Sequence, residues 1–77
     1  MKVTGTLSTI TFDLENGYKA KANGEMLVGG SFVVYMSSFS FWEPPYNEEK
    51  VTAEDILMLK QLCEEERTED SVELIWE

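Results

Sequence analysis

Thr6-Leu7-Ser8-Thr9-Ile10-Thr11-Phe12-Asp13-Leu14-Glu15-Asn16-Gly17-Tyr18-Lys19-Ala20-Lys21-Ala22 reads as two strands joined by a tight turn. Over residues 6–14 β-branched and aromatic side chains dominate, and Ile10 and Phe12, two apart, share one face of a strand. Asn16-Gly17 tolerates the positive φ that a type I′ hairpin turn requires. Residues 18–22 return with Tyr18, Ala20 and Ala22 on one face and Lys19 and Lys21 on the other. Asn23-Gly24 reads as a second turn, residues 25–28 as the start of a third strand, and Gly29-Gly30 as a third turn. Residues 31–42 are the longest strand candidate. Phe32-Val33-Val34-Tyr35-Met36 is apolar on both faces, which suits a central strand covered on one side. Ser37-Ser38 is read as a bulge within it.

Proline lacks the donor that a sheet ladder needs, so the run Glu43-Pro44-Pro45-Tyr46-Asn47 ends the strand-rich half. A helix follows. Thr52 is a good N-cap, and Asp55 three residues on completes a capping-box pattern. At about 100° per residue, Ile56, Leu59, Leu62 and Cys63 form the stripe to be buried, with Glu54, Gln61 and Glu65 opposite. Residues 71–76 read as a last strand, Val72, Leu74 and Trp76 inward and Glu73 outward. The fold class predicted is α+β: an antiparallel sheet in the order β-β-β-β-α-β with one helix packed on one face, as a single domain over residues 1–77.

The charge lies in the second half. Residues 43–77 hold twelve acids against three basic residues, which accounts for the whole net charge of −9, because the first 42 residues balance. Such a field repels nucleic acid and anionic lipid and attracts a basic protein surface. Direct nucleic-acid binding is excluded on sign. No run approaches the roughly 20 apolar residues of a membrane helix, and residues 1–6 do not resemble a signal peptide. A lone Cys63 forms no internal disulfide. A small domain without such staples is expected to be cytoplasmic.

Catalysis finds little to use. The chain has no histidine, hence neither the commonest general base nor the commonest metal ligand. Cys63 falls on the apolar stripe and reads as a small buried hydrophobe. The glycine pairs lack the spacing of a phosphate loop. Consecutive helical glutamates such as Glu64-Glu65-Glu66 point about 100° apart and do not converge on one ion. No enzymatic activity, cofactor or metal is expected.

The acidic run has two readings. It is either a solvated helix end or a docking surface for a cationic partner. Glutamates near a helix C-terminus oppose the macrodipole, at about 0.3–1 kcal/mol each when exposed, so their presence suggests a use elsewhere. Leu57 and Met58 flank the acidic face as apolar residues off the buried stripe. They either anchor a partner or, for Leu57, pack under the Pro44-Pro45 loop. The candidate partner surface is therefore Glu54, Leu57, Met58, Gln61, Glu64, Glu65, Glu69 and Asp70.

Gly24-Glu25 and the corner Trp42-Glu43-Pro44-Pro45, set between a strand-rich half and a helix, resemble a family of small bacterial immunity proteins. These accompany polymorphic toxins and contact-dependent growth inhibition toxins. The resemblance implies a cytosolic antidote that binds a cognate toxin domain and blocks its active site or a surface it needs. Many such toxins are nucleases with basic clefts, so the expected partner is a basic toxin domain held by a monomer in a 1:1 complex. Within the resemblance Gly24, Trp42, Pro44 and Pro45 look architectural: a turn, a core plug and a rigid corner. Glu25 and Glu43 either satisfy backbone donors there or touch the partner. Two other readings stay open: an acidic adaptor or regulator, such as a phage-encoded one, for another basic protein, and a self-associating structural subunit.

Overall fold

The computed structural model describes residues 1–68 and 72–77. Five strands form one sheet in the order β1 (Lys2–Gly5), β2 (Thr9–Asp13), β3 (Lys19–Met26), β4 (Ser31–Val34) and β5 (Glu73–Trp76). A 13-residue helix, α1 (Ala53–Glu65), separates β4 from β5 in the chain. The chain is α+β, with four strands, a helix and a strand in the expected order. β1 to β4 pair antiparallel, while β5 joins β4 in parallel, Phe32 against Leu74 and Val34 against Trp76. A parallel neighbour needs a long crossover, and α1 lies within it.

The β2–β3 pairing carries the core. Ile10 lies opposite Ala22 and Phe12 opposite Ala20, and all four are buried. Small alanines beside large side chains leave room for Leu59 of α1, which is fully buried in the same cluster with Phe32, Val34, Phe39 and Trp42. Trp76 stacks on Phe12 at 5.4 Å and closes the layer from β5. The other sheet face is not covered by the helix. It carries Lys19, Lys21, Glu25, Tyr35 and Glu73, all exposed.

Several boundaries differ from the sequence reading, each for a local reason. β1 adds a strand ahead of residues 6–14, whose first part is instead the turn into β2. The first hairpin closes with three residues, positive φ falling on Glu15 (62°) and Gly17 (99°) rather than on Asn16-Gly17. Asp13 Oδ1 accepts the Glu15 amide at 2.8 Å and Asn16 Oδ1 the Tyr18 amide at 3.1 Å, so side chains hold that loop. Asn23-Gly24 is not a turn: β3 runs through it, because the Gly24 amide donates to Ser8 O at 2.9 Å. β4 stops at Val34. Ser38 Oγ then accepts the Asn23 amide at 2.7 Å and bonds Tyr35 O, which winds Met36–Ser38 into a 3-10 turn where a bulge was expected. The Gly29-Gly30 turn is present, both glycines having positive φ. Residue 71 of the expected last strand lies outside the described residues, and Val72 is exposed and precedes β5.

Candidate functional site

Helix α1 begins at a complete capping box. Thr52 Oγ1 accepts the Asp55 amide at 3.2 Å and Asp55 Oδ2 accepts the Thr52 amide at 2.9 Å. This fixes the helix start and therefore the phase of every side chain after it. Leu59 is buried, with Ile56 and Cys63 packed beside it on the sheet. The rotation left over places Glu54, Leu57, Met58, Gln61, Glu64 and Glu65 on one exposed face, about 120° wide. Leu57 is 54% exposed, so it does not pack away under the proline loop. Met58 is 37% exposed and leans toward a shallow groove beside Tyr18 and Trp42. No basic residue lies in the last turn of α1. Between described residues, no ion pair engages Glu54, Glu64 or Glu65. Glu69 and Asp70 lie outside the described residues.

The Trp42-Glu43-Pro44-Pro45 corner is an aromatic clasp at the start of β3. Tyr18 meets Trp42 edge-on at 5.2 Å and stacks on Tyr46 at 3.8 Å. Its hydroxyl donates to Glu49 Oε2 at 2.9 Å, a bond that raises the phenol above its usual pKa. The Glu43 amide donates to Lys19 O at 2.9 Å and its carbonyl accepts the Tyr46 amide at 3.0 Å, so Glu43 acts here through its backbone. The Pro44-Pro45 bond is cis. Trp42 is buried in the core cluster. Gly24 is needed for space rather than for a turn: a Cβ there would run into Val33 O and the Phe32 ring. Glu25 accepts the Tyr35 hydroxyl at 3.3 Å, and its negative charge holds that phenol above the ordinary range.

Cys63 is half-buried. Burial, helped by the Glu66 and Glu64 charges, pushes its thiol up to about 11. At neutral pH it is therefore a protonated packing group, whereas a nucleophile needs thiolate. Among the described residues no group of three His, Cys, Asp or Glu side chains is placed to hold a metal ion. No described helix is long and apolar enough to cross a membrane. Two surfaces escaped the sequence reading. One is the acidic half of the open sheet face, where Glu25 and Ile75 lie on either side of Val33; its signal depends on the parallel register of β5. The other is the groove between β1 and α1, which depends on β1 being a strand at all.

The class these features define is a small α+β domain, a five-stranded mixed sheet with one covering helix and a charged helix face turned to solvent. The chain belongs to the Immunity protein 74 family, whose model matches residues 2–77. No curated protein and no solved structure matches the chain. Membership in an immunity-protein family implies an immunity function exercised on a cognate toxin.

Proposed function

We propose that this immunity protein neutralises a nuclease toxin in the cytoplasm by binding it 1:1, without catalysis, and covering its basic substrate surface. One observation carries the reading: α1 exposes Glu54, Gln61, Glu64 and Glu65 on the same face as Leu57 and Met58. An apolar anchor inside an acidic surround suits a cationic cleft, which must be both neutralised and desolvated. The net charge of −9 steers approach to such a cleft over a distance that salt shortens.

The test has two stages. A tagged chain captures its partner from native lysate at low salt, and the captured protein is expressed alone and with the immunity protein. A basic nuclease, lethal alone and harmless in company, is expected. A non-toxic partner replaces this reading with the adaptor, and recovery of the bait alone with self-association. On the purified pair, Glu54→Lys with Glu65→Lys is expected to slow association by about 10- to 100-fold at low salt, with the difference closing at high salt. Equal on-rates at low salt rule out the helix face.

A further inference from the structure

Two stretches of the chain, residues 3–12 and 26–42, hold no charged side chain, and the fold brings their turns to one end of the sheet. The Met26 amide donates to Leu7 O at 3.1 Å, which sets the β1–β2 turn beside the end of β3. Leu27 and Val28 open the β3–β4 turn, and Val72 immediately precedes Glu73, the β5 residue opposite Ser31. Leu7 is 78% exposed and Val28 fully so, with Met26, Leu27 and Val72 exposed around them. Gly29 and Gly30 follow with positive φ, and a Cβ on either would meet nothing, so this turn stands clear of the rest of the molecule. Met26 and Val72 also line the groove that crosses the covered face from β1 to β5 over Ile10, Phe32 and Leu74, so the apolar surface continues inward from the end.

We propose that two copies of this chain pair through this end of the sheet as a two-fold dimer, with Leu7 and Val28 of both copies at its centre. Area and charge sign select a second copy. The five exposed side chains present roughly 300–400 Å² of apolar surface, large for a monomer and close to the apolar share of the roughly 800 Å² that each partner gives a stable interface. The groove behind them supplies the remainder. A copy of the same chain carries the same net charge of −9 and is repelled wherever acids are exposed, so it can approach only where charge is absent. A basic partner has the opposite preference and is served by the helix face. That face stays outside the pairing, because Asp55 and Met58 of α1 share a groove with Asn16 and Tyr18, at the other end of β2 and β3. The dimer thus goes beyond toxin binding and leaves one helix face per chain. Glu25 and Glu73 flank the pairing end on the open face of the sheet, so repulsion between copies opposes the dimer and salt relieves it.

The test is the mass of the purified full chain by sedimentation equilibrium, from micromolar to millimolar concentration and at low and high salt. A concentration-dependent dimer is expected, with a dissociation constant that falls severalfold as salt rises. Leu7→Lys with Val28→Lys places charge at two exposed turn positions. It is expected to raise that constant at least tenfold while the circular dichroism spectrum stays that of the parent. Leu7→Ser with Val28→Ser removes the apolar contact without adding charge and is expected to weaken the dimer as well. A chain that stays monomeric at millimolar concentration would overturn the proposal. So would a dimer that both double variants leave intact, or one that weakens as salt rises. A monomeric parent whose serine variant binds its toxin more weakly would also overturn it, and give this end of the sheet to the toxin.

Discussion

Gly24 is held by its neighbours rather than by its own backbone freedom. A Cβ at that position would strike Val33 O and the Phe32 ring, and both lie in the buried strand β4, which has little room to yield. Gly24→Ala is therefore expected to cost about 1–3 kcal/mol, read as a lower urea midpoint with unchanged slope. A variant as stable as the parent would show that β4 moves aside. Tyr18 makes a different constraint, joining Trp42, Tyr46 and Glu49. Tyr18→Phe keeps both ring contacts and loses one hydroxyl bond, so about 0.5–1.5 kcal/mol is expected from the same measurement. At this scale the sequence showed which residues are special but not why. Glycine after asparagine is a turn signal locally, and only the pairing of β3 between β2 and β4 turns Gly24 into a packing residue.

Among the elements, α1 was the most legible and the strands least. A capping box and a stripe at spacings of three and four residues are local patterns, so the start of the helix and its buried face follow from sequence alone. Strand limits are set by partners. Ser8 and Ser38 hydrogen bonds carry β3 through Asn23-Gly24 and end β4 early, and no property of residues 31–42 alone reveals this. The parallel edge at β5 is equally invisible until the crossover is placed. The helix also separates stability from binding. Thr52→Ala removes the cap that accepts the Asp55 amide and is expected to lower stability by about 1 kcal/mol. Leu57→Ser lies on the exposed face, so its effect on stability is expected to stay within about 0.5 kcal/mol while toxin affinity falls severalfold. Isothermal titration beside thermal melts checks both. Loss of stability without loss of affinity in Leu57→Ser would return Leu57 to a packing role.

Over the whole molecule, charge decides how the fold responds to its solvent. With a net charge of −9 at neutral pH, the folded chain repels itself, and every further ionisation adds to that repulsion. Its next groups to lose protons are held back in the folded state. Burial holds the Cys63 thiol at about 11 against an ordinary 9.0, the bond to Glu49 raises Tyr18, and the Glu25 charge raises Tyr35. The unfolded chain releases these protons first. Above pH 9 it therefore binds fewer protons than the native state, and stability falls as pH rises. The contribution of Cys63 is fully present below about pH 9 and lost as pH climbs through about 11, with the tyrosines extending the decline upward from their ordinary 10.0. Thermal midpoints measured from pH 7 to 11 are expected to start falling near pH 8, where the unfolded chain's terminal amine loses the proton that its bond to Glu66 retains in the folded state, and to drop more steeply past pH 9. Cys63→Ala should flatten the first part of the drop, although its smaller side chain lowers the midpoint at every pH. A parent midpoint unchanged to pH 11 would mean that these groups are as free in the native state as in the unfolded chain, and that the clasp and the helix–sheet contact are looser than their geometry indicates.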